Sequence, residues 1–237
     1  MWKSLPKETI EAMRAEVVFP NYVTYGLGHV IADYEKALKI GFDGIIREAE
    51  QELEKLDYAK DVEATEKQDF LRAVIVALNA VKIYARRHAD KAREMARVET
   101  HIARREELLK IAEICEWVPG NPPRTFYEAL QLFWFVQVVL FTQEAGFSYA
   151  PGRFDQYMYP FYNRDLDTGM INKEAALELL ECLWIKMSEI VYLYEEETAR
   201  RASGFPSGQN VCLGGVDRNG KDATNELSYL CLQAEAE

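Results

Sequence analysis

Between Thr65 and Val118 the chain carries neither glycine nor proline, and apolar residues recur at helical spacing through Phe70, Val74, Ala77, Leu78, Val81 and Tyr84. That period predicts an amphipathic helix. The stretch is longer than an ordinary globular helix, so it predicts two helices, an antiparallel pair, broken near Glu99-Thr100 where β-branched and polar residues cluster. The turn Pro119-Gly120-Asn121-Pro122-Pro123 then stops the region, because adjacent prolines cannot continue a helix. Thr125 and Glu128 follow at the spacing of a capping box, which predicts a helix from 126 to about 145, ended by Gly146. Its apolar run, Ala129 to Phe141, contains Gln131 and Gln137 and falls short of the roughly 20 residues needed to cross a bilayer. It reads as a buried helix.

Directly after it comes Phe147 to Tyr162, FSYAPGRFDQYMYPFY, in which seven of sixteen residues are aromatic. The pattern reads as an aromatic, polar-tipped loop delivered by a buried element. Such a segment suits a pocket wall, since rings supply contact area while Tyr hydroxyls, Arg153 and Asp155 need partners once desolvated. It equally suits a loop that clamps two core helices. Next, a second capped helix is predicted from Asn172 to about Glu197, followed by loop at 203–208, a short buried strand at Val211–Val216 and a turn at Arg218-Asn219-Gly220. Asp222 or Thr224 then caps a final helix running to Glu237. With no stop signal there, the pattern points to a sequence cut from something longer.

Composition narrows the partners. The 237 residues are 49% hydrophobic and 28% charged, ordinary values for a globular protein. A net charge of −11 argues against nucleic acid or an anionic membrane, which are bound chiefly through Lys and Arg. The basic residues from Arg86 to Arg105 are interleaved with acids and read as a solvated helix face held by ion pairs. Cys115, Cys182, Cys212 and Cys231 show no CxxC spacing and read as reduced core residues of a cytoplasmic protein. The N-terminal segment MWKSLPKETIEAM lacks the apolar region of a secretory signal.

Several chemistries lack their carriers. There is no GxGxxG, no GxxxxGK[ST] and no GxSxG. His29, His88 and His101 are scattered, with no Glu-x-x-His or His-x-x-x-His arrangement, which disfavours a di-iron bundle or zinc site. The acids Glu195 to Glu197 read as the exposed end of a helix. His29, after Gly26 and Gly28, reads either as a site-lining residue or as a structural histidine with satisfied hydrogen bonds.

Five stretches, in order, resemble the glycyl radical enzyme family, which includes pyruvate formate-lyase, glycerol, propanediol and hydroxyproline dehydratases, choline lyase and arylacetate decarboxylases. They are GHVIADYEKAL at 28–38, ARRHADKAREMA at 85–96, VPGNPPRTFYEALQLFWF at 118–135, GRFDQYMYPFY at 152–162 and LGGVDRNGKDATNELSYL at 213–230. The resemblance implies an α/β fold, strongly helix-dominated in this portion and part of a ten-stranded barrel, with residues 1–237 one portion of a single domain and no independent boundary. It implies radical cleavage of a C–O, C–N or C–C bond in a small molecule. The radical sits on a glycine and is installed by an activating enzyme that uses S-adenosylmethionine and an iron-sulfur cluster. The chain is expected to bind no cofactor itself and to lack both the catalytic-cysteine loop and the radical-glycine loop, as an N-terminal-half portion of an enzyme that is a homodimer when complete. It would have no activity alone. The competing expectation is a non-catalytic helical scaffold or partner module derived from that family.

The resemblance also assigns substrate-facing residues: Gln143, Phe147 and Asp155. Gln143 and Phe147, four apart, would share a helix face. Asp155 would accept a hydrogen bond from a substrate hydroxyl or balance a cationic head group, or else pair with Arg153. Phe147 stands where other members have His or Tyr. An apolar ring there argues against a polyol and leaves cyclic or aromatic substrates open.

Overall fold

The computed structural model describes residues 6–15, 28–143, 148–190, 200 and 208–237. A short helix, α1 (Lys7–Arg14), precedes α2 (Tyr34–Glu54), α3 (Ala64–Val98), α4 (Ile102–Trp117) and α5 (Phe126–Gln143). A two-residue strand, β1 (Gly152–Arg153), leads straight into α6 (Phe154–Asp167) and then α7 (Lys173–Ser188). Beyond these lie β2 (Val211–Cys212) and α8 (Glu226–Ala236).

The predicted helix pair forms α3 and α4, and the link Glu99–His101 turns α4 back along α3. The buried ridge of α3 is made mostly of alanines. Val81, Ala85, Ala89, Ala92 and Ala96 recur every three or four residues and are buried. Small side chains along one face let a neighbouring backbone come close, a geometry set by helical ridges packing into grooves. Phe70 and Tyr84, expected on that face, are exposed. Ion pairs line the outer surface as expected, among them Lys91–Glu94, Arg93–Asp90 and Arg104–Glu107.

Helix α2 is kinked at Gly41, whose φ is 65°. Only glycine adopts that conformation without steric cost. At the kink the amides of Phe42 and Asp43 leave the helical ladder and donate to the carbonyls of Pro119 (2.9 Å) and Gly120 (3.0 Å). The proline turn therefore docks directly on α2, and Lys82 of α3 closes the junction by pairing with Asp43.

Helix α5 occupies the centre. Phe126, Ala129, Leu130, Leu132, Phe133, Phe135 and Phe141 are all buried, as expected for a helix apolar on nearly every side. Half of the predicted capping box forms: the Glu128 amide donates to Thr125 Oγ1 at 3.1 Å. The Glu128 carboxylate reaches one residue further back, accepting from the Arg124 amide (2.6 Å) and guanidinium (Nε, 3.0 Å). Arg124 also stacks 4.4 Å over the Trp117 ring. One core cluster joins α5 to α2, α6, α7 and α8, with Phe133 edge-on to Phe154 (5.2 Å, 80°) and Phe126 edge-on to Tyr162 (5.7 Å, 68°).

Four expectations need correction. The aromatic segment is mostly helix from Phe154 onward, because its rings fall on a face that packs against α5 and α7. The strand expected at Val211–Val216 is two residues long, and Val216 is exposed, since Gly214 and Gly215 (φ 63° and 84°) turn the chain away. Helix α8 is capped by Asn225, not Asp222 or Thr224: its side chain and that of Ser228 exchange bonds in a capping box. Cys182 and Cys212 are exposed, leaving only Cys115 and Cys231 in the core. Helix α7 starts at the predicted Asn172 cap and ends at Ser188, with 191–199 outside the described residues, as are Gly146 and most of the 203–208 loop.

Replacing Gly41 by alanine is expected to cost about 3 kcal/mol or more, because the new Cβ would lie 2.7 Å from the Asn121 carbonyl carbon as well as against Gly120 O. Gly169→Ala is the control: its φ is 70° but nothing lies within 4 Å, so it should lose only the about 1–2 kcal/mol of left-handed strain. Urea unfolding of both variants checks this, and equal losses would contradict the docking account.

Candidate functional site

Three chain segments run side by side at one end of the helical layer. Tyr149 bridges Val30 in parallel, Gly152 pairs with Val211 and Arg153 with Cys212. Backbone pairing this short is reinforced by side chains. Asp155, in the first turn of α6 and wholly buried, accepts from the Gly214 amide (2.7 Å) and from the Ser228 hydroxyl. Ser228 lies in the first turn of α8, so the carboxylate sits against two helix N-termini, whose partial positive charge favours an anion. Arg153 does not pair with Asp155. Its guanidinium donates to the Gly214 carbonyl at 3.1 Å, so the two side chains hold opposite faces of one peptide segment.

Only one oxygen of Asp155 is used. Its Oδ1 is buried with no hydrogen-bond partner among the described residues. A buried acceptor left unpaired costs roughly 1–3 kcal/mol, and this oxygen retains capacity for a further donor.

A second polar cluster lies beside it. Gln137, in the middle of α5 and wholly buried, accepts from the Tyr34 hydroxyl and donates to the Tyr149 carbonyl and to Gln209 Oε1, both at 2.8 Å. Gln209 donates onward to the Met187 carbonyl at 2.8 Å. The Tyr34 ring stacks on Tyr157 (5.6 Å, 18°), whose hydroxyl donates to the Pro151 carbonyl at 2.8 Å. Burial pushes both tyrosine hydroxyls well above their ordinary range, so they act as donors throughout the physiological pH range.

Of the sequence-derived site residues, Asp155 stands in the first of these clusters. Gln143 is the last residue of α5, and Phe147 lies outside the described residues, as does the comparison of their helix faces. His29 is exposed, with its backbone in the left-handed region (φ 59°). Sequence reasoning does not single out Tyr34, Gln137, Gln209 or Ser228, the other members of these clusters. The signal for Gln137 was an amide inside an otherwise apolar run, which a buried helix tolerates only when its hydrogen bonds are met. Among the described residues no group of three or more His, Cys, Asp and Glu side chains is placed to hold a metal ion, and no helix is long and apolar enough to cross a membrane. Two surface hollows among the described residues, of about 310 Å³ beside Glu63 and Phe70 and about 200 Å³ beside Asp43 and Lys82, share no residue with these two clusters.

The whole chain, residues 1–237, matches the family model for pyruvate formate lyase-like proteins. It is 44% identical over 209 residues to isethionate sulfite-lyase of Nitratidesulfovibrio vulgaris, covering 87% of this chain and 25% of that protein. It superimposes with a TM-score of 0.92 on a Roseburia inulinivorans protein solved for its dehydration of 1,2-propanediol, at 41% identity, covering 98% of this chain and 28% of the other. The glycerol-bound, B12-independent glycerol dehydratase of Clostridium butyricum gives a TM-score of 0.89, again at 41% identity, covering 99% of this chain and 29% of its own. The chain thus spans about a quarter of the length of the curated relatives it matches.

The thiols report on the packing of this region. Burial, then the nearby Asp155 carboxylate, pushes Cys231 up to about 12, and burial pushes Cys115 up to about 11. At pH 8 iodoacetamide is therefore expected to modify Cys182 and Cys212 quickly, and Cys115 and Cys231 only after unfolding. Because the folded state holds both buried protons more tightly than the unfolded chain, with an ordinary value of 9.0, stability is full below pH 9 and falls as pH rises toward 11 to 12. Cys231→Ala should flatten that decline, by on the order of 1 kcal/mol per pH unit across the window. Four thiols reacting at one rate in the folded chain would contradict the burial.

Proposed function

The chain belongs to the pyruvate formate lyase-like family of glycyl radical enzymes, and from that membership we propose that it forms one helical wall of a radical enzyme's barrel and one side of its substrate pocket. The likeness along all 237 residues carries this reading. Residues 1–237 are then one portion of a larger single domain. The complete enzyme cleaves a C–O, C–N or C–C bond of a small molecule, and the relation to a sulfite-lyase adds C–S to that set. A glycyl radical, installed by an S-adenosylmethionine and iron-sulfur activating enzyme, supplies the one-electron chemistry. The complete enzyme is a cytoplasmic homodimer.

This chain's own residues bind, orient and exclude water. Gln143, Phe147 and Asp155 face the substrate, and the orphan Oδ1 of Asp155 supports that role: a substrate hydroxyl donating to it would satisfy both groups. The packed aromatic layer of Tyr34, Phe133, Phe154 and Tyr157 behind the wall keeps solvent out, which radical chemistry requires. Two of the four thiols are buried among helices and two are exposed. On this reading none of them is the catalytic cysteine, because none lies in the loop setting that the family resemblance implies, and the chain has no activity alone.

The test is electron paramagnetic resonance after anaerobic treatment with the activating enzyme and S-adenosylmethionine. The complete enzyme is expected to give a glycyl doublet and to turn over a hydroxylated or sulfonated small molecule, while residues 1–237 alone give neither. A doublet from the isolated chain would overturn the division of labour, and no doublet from the complete enzyme would overturn the radical reading.

In the complete enzyme, Phe147→Ala is expected to change relative turnover across substrates while leaving the urea midpoint nearly unchanged. A loss of about 3–5 kcal/mol with unchanged preference would make Phe147 a core residue instead.

A further inference from the structure

Gln137 spends its whole amide on backbone and side chains that belong to other elements. A glutamine has two N–H donors and one acceptor oxygen, and here both donors and the oxygen are used, on Tyr149, Gln209 and Tyr34. In a helix that is otherwise apolar, a Leu or Met of similar volume would avoid the desolvation cost. The amide's use must therefore lie in what it holds. Tyr149 stands three residues before β1 and Gln209 two residues before β2. One buried side chain thus grips the entry to both parallel strands, and through Gln209 ties them to the carbonyl of Met187 at the end of α7.

Downstream of those grips, β1 delivers Arg153 and Asp155 and β2 delivers Gly214, the three residues whose mutual bonds shape the wall. Among the described residues the pairing of β1 with β2 is two residues long, which leaves little backbone bonding there to resist a shift of one strand along the other, and a one-residue slip would reverse every side chain.

We propose that Gln137 is a positioning residue that sets the register of β1 against β2 and thereby places Asp155 at the substrate wall. Its effect on turnover rests on the radical-enzyme reading above; its effect on register does not. Tyr34 supports the Gln137 oxygen but touches neither strand through it.

Hydrogen exchange on the full chain separates the two roles. Gln137→Glu keeps the volume and the acceptor for Tyr34 but replaces the two N–H donors with at most the single O–H of a buried neutral acid, so the two grips cannot both be kept. It is expected to speed exchange of the amides in 150–153 and 209–214 by about tenfold or more, leaving α3 and α4 unchanged. Tyr34→Phe is expected to leave both strand segments protected. Where Gln137→Glu does not fold, Gln209→Leu at the half-buried partner removes the lateral bond together with the bond to the Met187 carbonyl and should loosen the same two segments. In the complete enzyme, Gln137→Glu should raise KM for the small-molecule substrate while the glycyl EPR amplitude is retained. Acceleration spread evenly over the chain, equal effects of Tyr34→Phe, or strands as protected in Gln209→Leu as in the parent would each overturn the proposal. A complete parent enzyme without radical activity would sink the functional reading, and the exchange pattern would still decide the register.

Discussion

Among the described residues the parallel pairing is limited to Gly152–Arg153 against Val211–Cys212, and buried side chains that reach these strands from the helices reinforce it. Asp155 is the chief of these. Its carboxylate ties the Gly214 amide to Ser228 at the start of α8 while belonging itself to the start of α6. A carboxylate removed from water without a cationic partner is ordinarily costly. Here two helix N-termini and two donors offset that cost, and hydrogen bonds to a charged acceptor are the stronger kind.

The helical layer makes this arrangement possible by being rigid where it meets the strands. Helix α5 buries much of its surface, and its wholly buried amide Gln137 faces the strand entries. On the far side the proline turn is locked to α2 at the Gly41 kink, which carries Tyr34 into contact with Gln137. Packing, capping and polar contacts thus converge on the same short strands.

Legibility in the sequence followed the physics of each element. Helices α3, α4 and α5 were readable because local periodicity, a proline turn and a Thr cap act within a few residues. The buried ridge of α3 was misread because alanines carry little hydrophobic signal, although their small size is what admits α4. The length of β2 was beyond reach from sequence, since Leu213 and Val216 look strand-like and only the positive φ of Gly214 and Gly215 ends the pairing. Asp155 was legible as a site candidate through family resemblance. Its true partners, Gly214 and Ser228, lie 59 and 73 residues away, a separation no local pattern encodes.

The functional reading needs Asp155 to be fixed in place with one oxygen left free, so the strength of its grip is the central physical claim. A double-mutant cycle on Asp155→Asn and Ser228→Ala, followed by urea unfolding of the chain, measures that grip directly. The account predicts a coupling energy of about 1.5–3 kcal/mol, the range for a hydrogen bond to a charged group. A coupling indistinguishable from zero would show that α8 holds its place without the carboxylate, and would contradict it.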